Sequence, residues 1–213
     1  MKIFHFRQQN KTEEIANTIS HGLGLLFFLI AIPLLWIKKF PLYSSKGILA
    51  IIIFSIGLIC VYSFSTLYHA FQKISIKNKL RVFDHISIFL LIGGSYTFIV
   101  WRYIHIDIAS PFLIIMWSLI AGGIILKLFF THRFRLLSTI FYLLLGLMGL
   151  FITRPLLNNI PQTVLVLIAV GGAMYIFGTL FYMMKNVRYT HTIWHFFVFG
   201  GSFFHYLAIY YSA

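Results

Sequence analysis

Two histidines four residues apart make the sharpest local pattern in the chain: His191-Thr-Ile-Trp-His195. On a helix, residues at this spacing share one face, one turn apart. That arrangement lets two imidazoles bind one metal ion, and it equally lets two histidines hydrogen-bond to neighbouring helices. The same spacing separates Ser65 from His69 in Ser65-Thr-Leu-Tyr-His69, and Asp84 follows at the head of another apolar run. Polar and ionisable groups inside apolar runs are costly, and they are the first place to look for function.

The surrounding chain makes those runs membrane helices. It has 213 residues, 60% hydrophobic and 10% charged. A soluble domain of this size carries more charge and cannot hide so much apolar surface in its core. About 20 apolar residues cross a bilayer, so seven helices need roughly 150 residues. The runs fall roughly at 15–37, 47–71, 85–104, 112–131, 135–153, 161–184 and 190–212. They predict an all-α, seven-transmembrane-helix bundle occupying 1–213 as a single integral membrane domain.

Turn chemistry separates the runs: Pro41 with Ser44 and Ser45, Ser110-Pro111, and Arg154-Pro155 with Asn158, Asn159 and Pro161. Only Thr131-His132-Arg133 divides the fourth run from the fifth, and Pro33 falls inside the first, where it could kink the helix. Glycine pairs at 93–94, 122–123, 171–172 and 200–201 read as places where helices pack closely. The first run is too long for a signal-peptide core and should remain as a membrane helix. The one cysteine, Cys60, lies within an apolar run and cannot form an intrachain disulfide.

Basic residues give an orientation. Of seventeen Lys and Arg, twelve fall in the segments that share a side with the amino terminus and five in the others. The positive-inside rule then places the amino terminus inside and, with seven spans, the carboxyl terminus outside. The net charge of +13 is spread between apolar runs rather than gathered on a folded patch. It reads as topology and lipid-headgroup anchoring, not nucleic-acid binding.

This topology brings His69, Asp84, His191 and His195 to one depth in the inner leaflet, from three separate helices. Three histidines with one open position form the ligand set of catalytic zinc. A nearby carboxylate could hold or deprotonate the metal-bound water.

Four segments resemble bacterial hemolysin III proteins: Glu13 to Gly22, Ser65 to His69, Asp84 to Phe98, and His191 to His195. That family is related to the progestin and adipoQ receptors and more distantly to alkaline ceramidases. The resemblance runs from Glu13 to His205. It implies a bacterial inner-membrane protein of seven helices with a zinc ion near the cytoplasmic face. The implied ligands are His69, His191 and His195, with Asp84 holding the zinc-bound water and Ser65 beside the site. In the ceramidase and receptor relatives the implied chemistry is hydrolysis of a lipid amide. The hemolysin name implies a pore or lytic activity.

The remaining candidates carry less. His21 could line the same cavity or pack against another helix through a hydrogen bond. His205 lies ten residues past His195, about 15 Å along the axis and too far for the same ion. His85 points to another face than Asp84, and His5, His105 and His132 fall in predicted loops. Glu13 and Glu14 suit the amino end of the first helix. The expected function is a zinc-dependent membrane hydrolase acting on a lipid amide or ester, with membrane lipid as partner and substrate. Its rivals are a non-enzymatic membrane sensor with structural zinc and a pore-forming protein.

Overall fold

The computed structural model describes residues 7, 9–40, 44–131 and 135–212. His5, His132, Arg133 and Pro41 lie outside the described residues, and so do the expectations attached to them. The elements are helices: α1 (Lys11–Lys39), α2 (Ser45–Ala70), α3 (Ile74–Tyr103), α4 (Ile106–Phe130), α5 (Arg135–Gly146), a 3-10 turn (Met148–Ile152), α6 (Thr153–Leu157), α7 (Gln162–Met183) and α8 (Thr190–Tyr211). Seven spans are long and apolar enough to cross a membrane, with Leu136–Leu157 making the fifth from α5, the 3-10 turn and α6. Their outward faces carry large apolar side chains, such as Phe151 at 86% exposed. Lipid can cover such a surface and water cannot.

Local chemistry explains where helices start. Asn10 caps α1: its side chain accepts from the Glu13 N–H at 2.9 Å, and the Glu13 carboxylate accepts from the Asn10 N–H at 3.0 Å. This reciprocal pair satisfies two of the donors a helix start leaves free. Helix α1 then continues through Pro33 to Lys39. Helix α3 begins at Ile74, well before the apolar run, so Asp84 lies inside the helix rather than at its head. Lys77, Lys79 and Arg81 occupy that early stretch. They are good helix formers, invisible to a search for apolar residues. Helix α4 likewise starts at Ile106, so Ser110 and Pro111 lie in its second turn and do not end it, although Pro111 forgoes one intrahelical hydrogen bond.

Helices α2 and α3 pack together over most of their lengths, and α8 lies between α1 and α7. Phe28 and Leu35 of α1 meet Phe54, Leu58 and Tyr62 of α2 in a core without measurable exposure. At Gly57 an added Cβ would fall 2.8 Å from the Leu91 Cα, and at Gly94 it would fall 2.7 Å from the Phe54 Cα. Only glycine lets the two backbones come so close. The fifth span breaks after Gly146, and Tyr96 of α3 repairs the break. Its hydroxyl donates to the Gly146 carbonyl at 2.6 Å and accepts from the Gly149 N–H at 2.7 Å. An unpaired backbone group at membrane depth would cost several kcal/mol.

Candidate metal centre

His69 sits in the last turn of α2, and His191 and His195 in the first turns of α8. One ligand atom from each lies within 4.8 Å of the others, and among the described residues this is the one such group. The ring centroids stand 5.1 Å apart for His69 and His191, 5.2 Å for His69 and His195, and 4.6 Å for His191 and His195. His69 is 1% exposed, and its Nε2 is buried without a hydrogen-bond partner. Buried polar atoms rarely go unpaired. An imidazole nitrogen with no protein partner, in a ring packed beside two more imidazoles, fits a metal ion: three neutral nitrogens and one open position suit zinc. The donor set alone does not name the metal.

Ser65 lies one turn before His69 on α2 and is buried. Its side chain lies beside the Asp84 carboxylate of α3. The structure therefore brings Ser65 and Asp84 together across the α2–α3 contact, while Asp84 stays outside the 4.8 Å group of histidines.

Around the histidines lies a set of polar contacts from α1. The Glu14 carboxylate accepts from His69 Nδ1 at 2.7 Å and from Lys77 Nζ at 2.7 Å. Ser20 Oγ lies 2.9 Å from His195 Nδ1 and donates to the Asn17 carbonyl at 2.9 Å. The Asn17 side chain accepts from Thr192 Oγ1 at 2.6 Å and donates to Gln9 at 3.1 Å. Glu13 holds the turn that leads into α8: its carboxylate accepts from the Tyr189 N–H at 3.0 Å. Tyr189 has φ 61°, a left-handed conformation unusual for a residue with a side chain. Arg7 closes the cluster with paired bonds to Glu13 at 2.7 Å and 2.5 Å.

Glu13 thus does what its place at a helix start suggests, and more. The role of Glu14 was not visible as a helix-end carboxylate. The available signal was a polar stripe, Glu14, Asn17 and Ser20, at steps of three along the first turns of α1. His21 joins the cluster by packing, stacked on His195 at 3.6 Å, and neither of its nitrogens has a hydrogen-bond partner. His205 stays apart from the cluster, with Nδ1 3.4 Å from Ser95 Oγ and its ring edge against Gly171. His105 caps α4 on the surface beside Asp107 at 3.1 Å.

An elongated, largely apolar cavity of about 520 Å³ lies between α3, the fifth span, α7 and α8. It runs from Trp194, next to His195, to Ile209 near the far end of α8. The three histidines do not line it. Trp194 and Tyr182 stand between: their rings are 5.5 Å apart, and Tyr182 is 5.8 Å from His191.

Comparison with known proteins agrees with this architecture. The family model described as "Haemolysin-III related" matches residues 9–206. The chain is 38% identical over 190 residues to the "Hemolysin-3 homolog" of Bacillus subtilis (strain 168), covering 89% of each chain. It is 33% identical over 190 residues to "Hemolysin-3" of Bacillus cereus, covering 89% of this chain and 87% of the relative. The human "Monocyte to macrophage differentiation factor" is 26% identical over 165 residues, 74% of this chain and 67% of its own. No solved structure matches. With a family model spanning nearly its whole length and seven membrane-spanning segments, the chain is a multi-pass bacterial membrane protein and belongs to the haemolysin-III-related family.

Proposed function

We propose that this protein is a zinc-dependent hydrolase of a lipid amide or ester, with His69, His191 and His195 as metal ligands and Asp84 and Ser65 as the catalytic pair. What carries the reading is the buried, unpartnered His69 Nε2 in a ring grouped with two further histidines, with the Asp84 carboxylate beside Ser65 on the next helix. Zinc held there supplies a Lewis acid that activates water near neutral pH and polarises a carbonyl.

The rest falls to the protein's own groups. Asp84 accepts the proton of the attacking water and returns it to the leaving nitrogen or oxygen. The Ser65 hydroxyl, beside Asp84, steadies the carboxylate at the site. Helices α2 and α8 hold the ligands rigidly, so little reorganisation accompanies the chemistry. The apolar cavity beside Trp194 offers room for an acyl chain entering from the lipid, with its head at the depth of the histidines. The excess of basic residues on the amino-terminal side puts that depth at the cytoplasmic interface.

The test is metal content together with turnover. Purified protein should bind zinc and release a fluorophore from amide- or ester-linked lipids in detergent micelles. Asp84→Asn should abolish release. Bound zinc with no release from either linkage would move a structural role for the metal to first place.

A further inference from the structure

We infer that Glu14 and Ser20 of α1 are positioning residues for the metal site, each holding Nδ1 of one histidine ligand so that its Nε2 is presented to the ion. The inference rests on the metal-site reading above and extends it to a helix that supplies no ligand.

The hydrogen bonds decide the tautomers. A neutral imidazole has one N–H and one lone pair on nitrogen. A carboxylate can only accept, so the 2.7 Å contact with Glu14 places the proton of His69 on Nδ1. The lone pair is then on Nε2, the atom left buried without a partner. Ser20 gives the same result by a different route. A hydroxyl has one proton, and the Asn17 main-chain carbonyl 2.9 Å away can only accept, so both contacts of Ser20 are hydrogen bonds only when that proton goes to Asn17. Toward His195 Nδ1, also at 2.9 Å, Ser20 can therefore only accept. His195 carries its proton on Nδ1 and presents Nε2.

Two ligands from two different helices are thus set in one tautomer by one face of α1. Residues 14, 17 and 20 step by three, so their side chains follow that face. Asn17 supplies the middle of the device. Its carbonyl fixes the Ser20 proton, and its side chain ties Thr192, beside His191, through a 2.6 Å bond. A metal ligand whose second nitrogen is held in this way binds in a fixed orientation, and loss of the holding group typically costs about 10- to 100-fold in metal affinity or activity.

A purely structural role for Glu14 makes a different forecast. Glu14 also pairs with Lys77 at 2.7 Å, which fastens α1 to α3. If fastening were its whole contribution, removing either partner would act alike. If it positions His69, Lys77→Met leaves the Glu14–His69 bond in place and spares the site.

The experiment uses the full chain in detergent micelles, with zinc affinity read by competition against a chromogenic chelator. Cobalt(II) replaces zinc for absorption spectra. Glu14→Ala and Ser20→Ala should each weaken zinc by about 10- to 100-fold and alter the cobalt spectrum, while reaching full occupancy at saturating metal. Ser20→Thr, which keeps the hydroxyl, should restore affinity. Lys77→Met should stay within about fivefold of wild type, the range of a partly exposed ion pair. Should Glu14→Ala fail to fold, Ser20→Ala with its threonine rescue carries the test alone. Unchanged affinity in Glu14→Ala and Ser20→Ala overturns this inference and leaves the metal site standing, as does equal loss in Lys77→Met and Glu14→Ala. Wild-type protein that takes up no zinc overturns the metal-site reading and this inference together.

Discussion

Gly57 and Leu91 bring the backbones of α2 and α3 into contact, since a Cβ added at Gly57 would lie 2.8 Å from the Leu91 Cα. This close approach lies two turns before Ser65 and so governs how Ser65 and His69 stand relative to Asp84. Gly57→Val should push the helices apart and cost about 1–3 kcal/mol, the usual penalty for overpacking. Gly122→Ala is the control, because a Cβ there meets nothing within 4 Å. It should be neutral or stabilise by up to about 1 kcal/mol through helix propensity. Apparent Tm in detergent reads both, and a Gly57→Val protein as stable as wild type would remove the close contact as a structural requirement.

The break in the fifth span makes a second prediction. Tyr96→Phe keeps the ring and removes the hydroxyl that bonds Gly146 and Gly149. Leaving those backbone groups unpaired should cost about 1–3 kcal/mol. Hydrogen exchange should rise at the Gly149 amide before it rises in α2 or α3. Uniform exchange throughout the bundle would show that the hydroxyl does not guard the break.

Topology is open to a direct check. A reporter fused after Ala213 should read as external, and one inserted between Lys73 and Arg81 as cytoplasmic. The twelve-to-five distribution of basic residues favours an inner amino terminus, and the odd number of spans then puts the carboxyl terminus on the other side. Both reporters on one side would contradict the arrangement.

The seven spans were legible because each contains a long apolar run, which is the strongest pattern a membrane sequence offers. Helix starts were less so. The early turns of α3 are carried by Lys77, Lys79 and Arg81, whose helical preference has no hydropathy signature. The convergence of His69, His191 and His195 could be read because alternating spans put their helix ends at one depth. The function of Glu14 could not, because its contact with His69 joins residues 55 apart and depends on which way α1 is turned. Gly57 escaped notice for a similar reason. Its partner is the backbone of another helix, whereas the paired glycines at 93–94 advertised themselves by adjacency.

Metal content tests the ligands. The purified protein should carry about one zinc per chain, since one three-histidine group is present among the described residues. His191→Ala and His195→Ala should each lose most of it. Full zinc in both variants would remove them as ligands.

Asp84 and His69 should separate when each is replaced. Asp84 lies beside Ser65 and stands outside the group formed by the three histidines. Asp84→Asn therefore keeps all three imidazoles and should retain substantial zinc at saturating metal. The proposed hydrolytic activity should fall sharply, because an amide cannot accept the proton of the attacking water. His69→Ala removes a ligand and also leaves Glu14 without one of its two partners, so zinc and activity should be lost together. A closed, structural site predicts another pattern. If Asp84 were the fourth ligand, no open position would remain. Asp84→Asn would then lose zinc as readily as His69→Ala and unfold at a lower temperature. Zinc content and apparent Tm of the two variants, measured side by side, decide between these patterns before any substrate is known. Equal zinc loss in both would count against Asp84 as the proton acceptor and in favour of a structural metal.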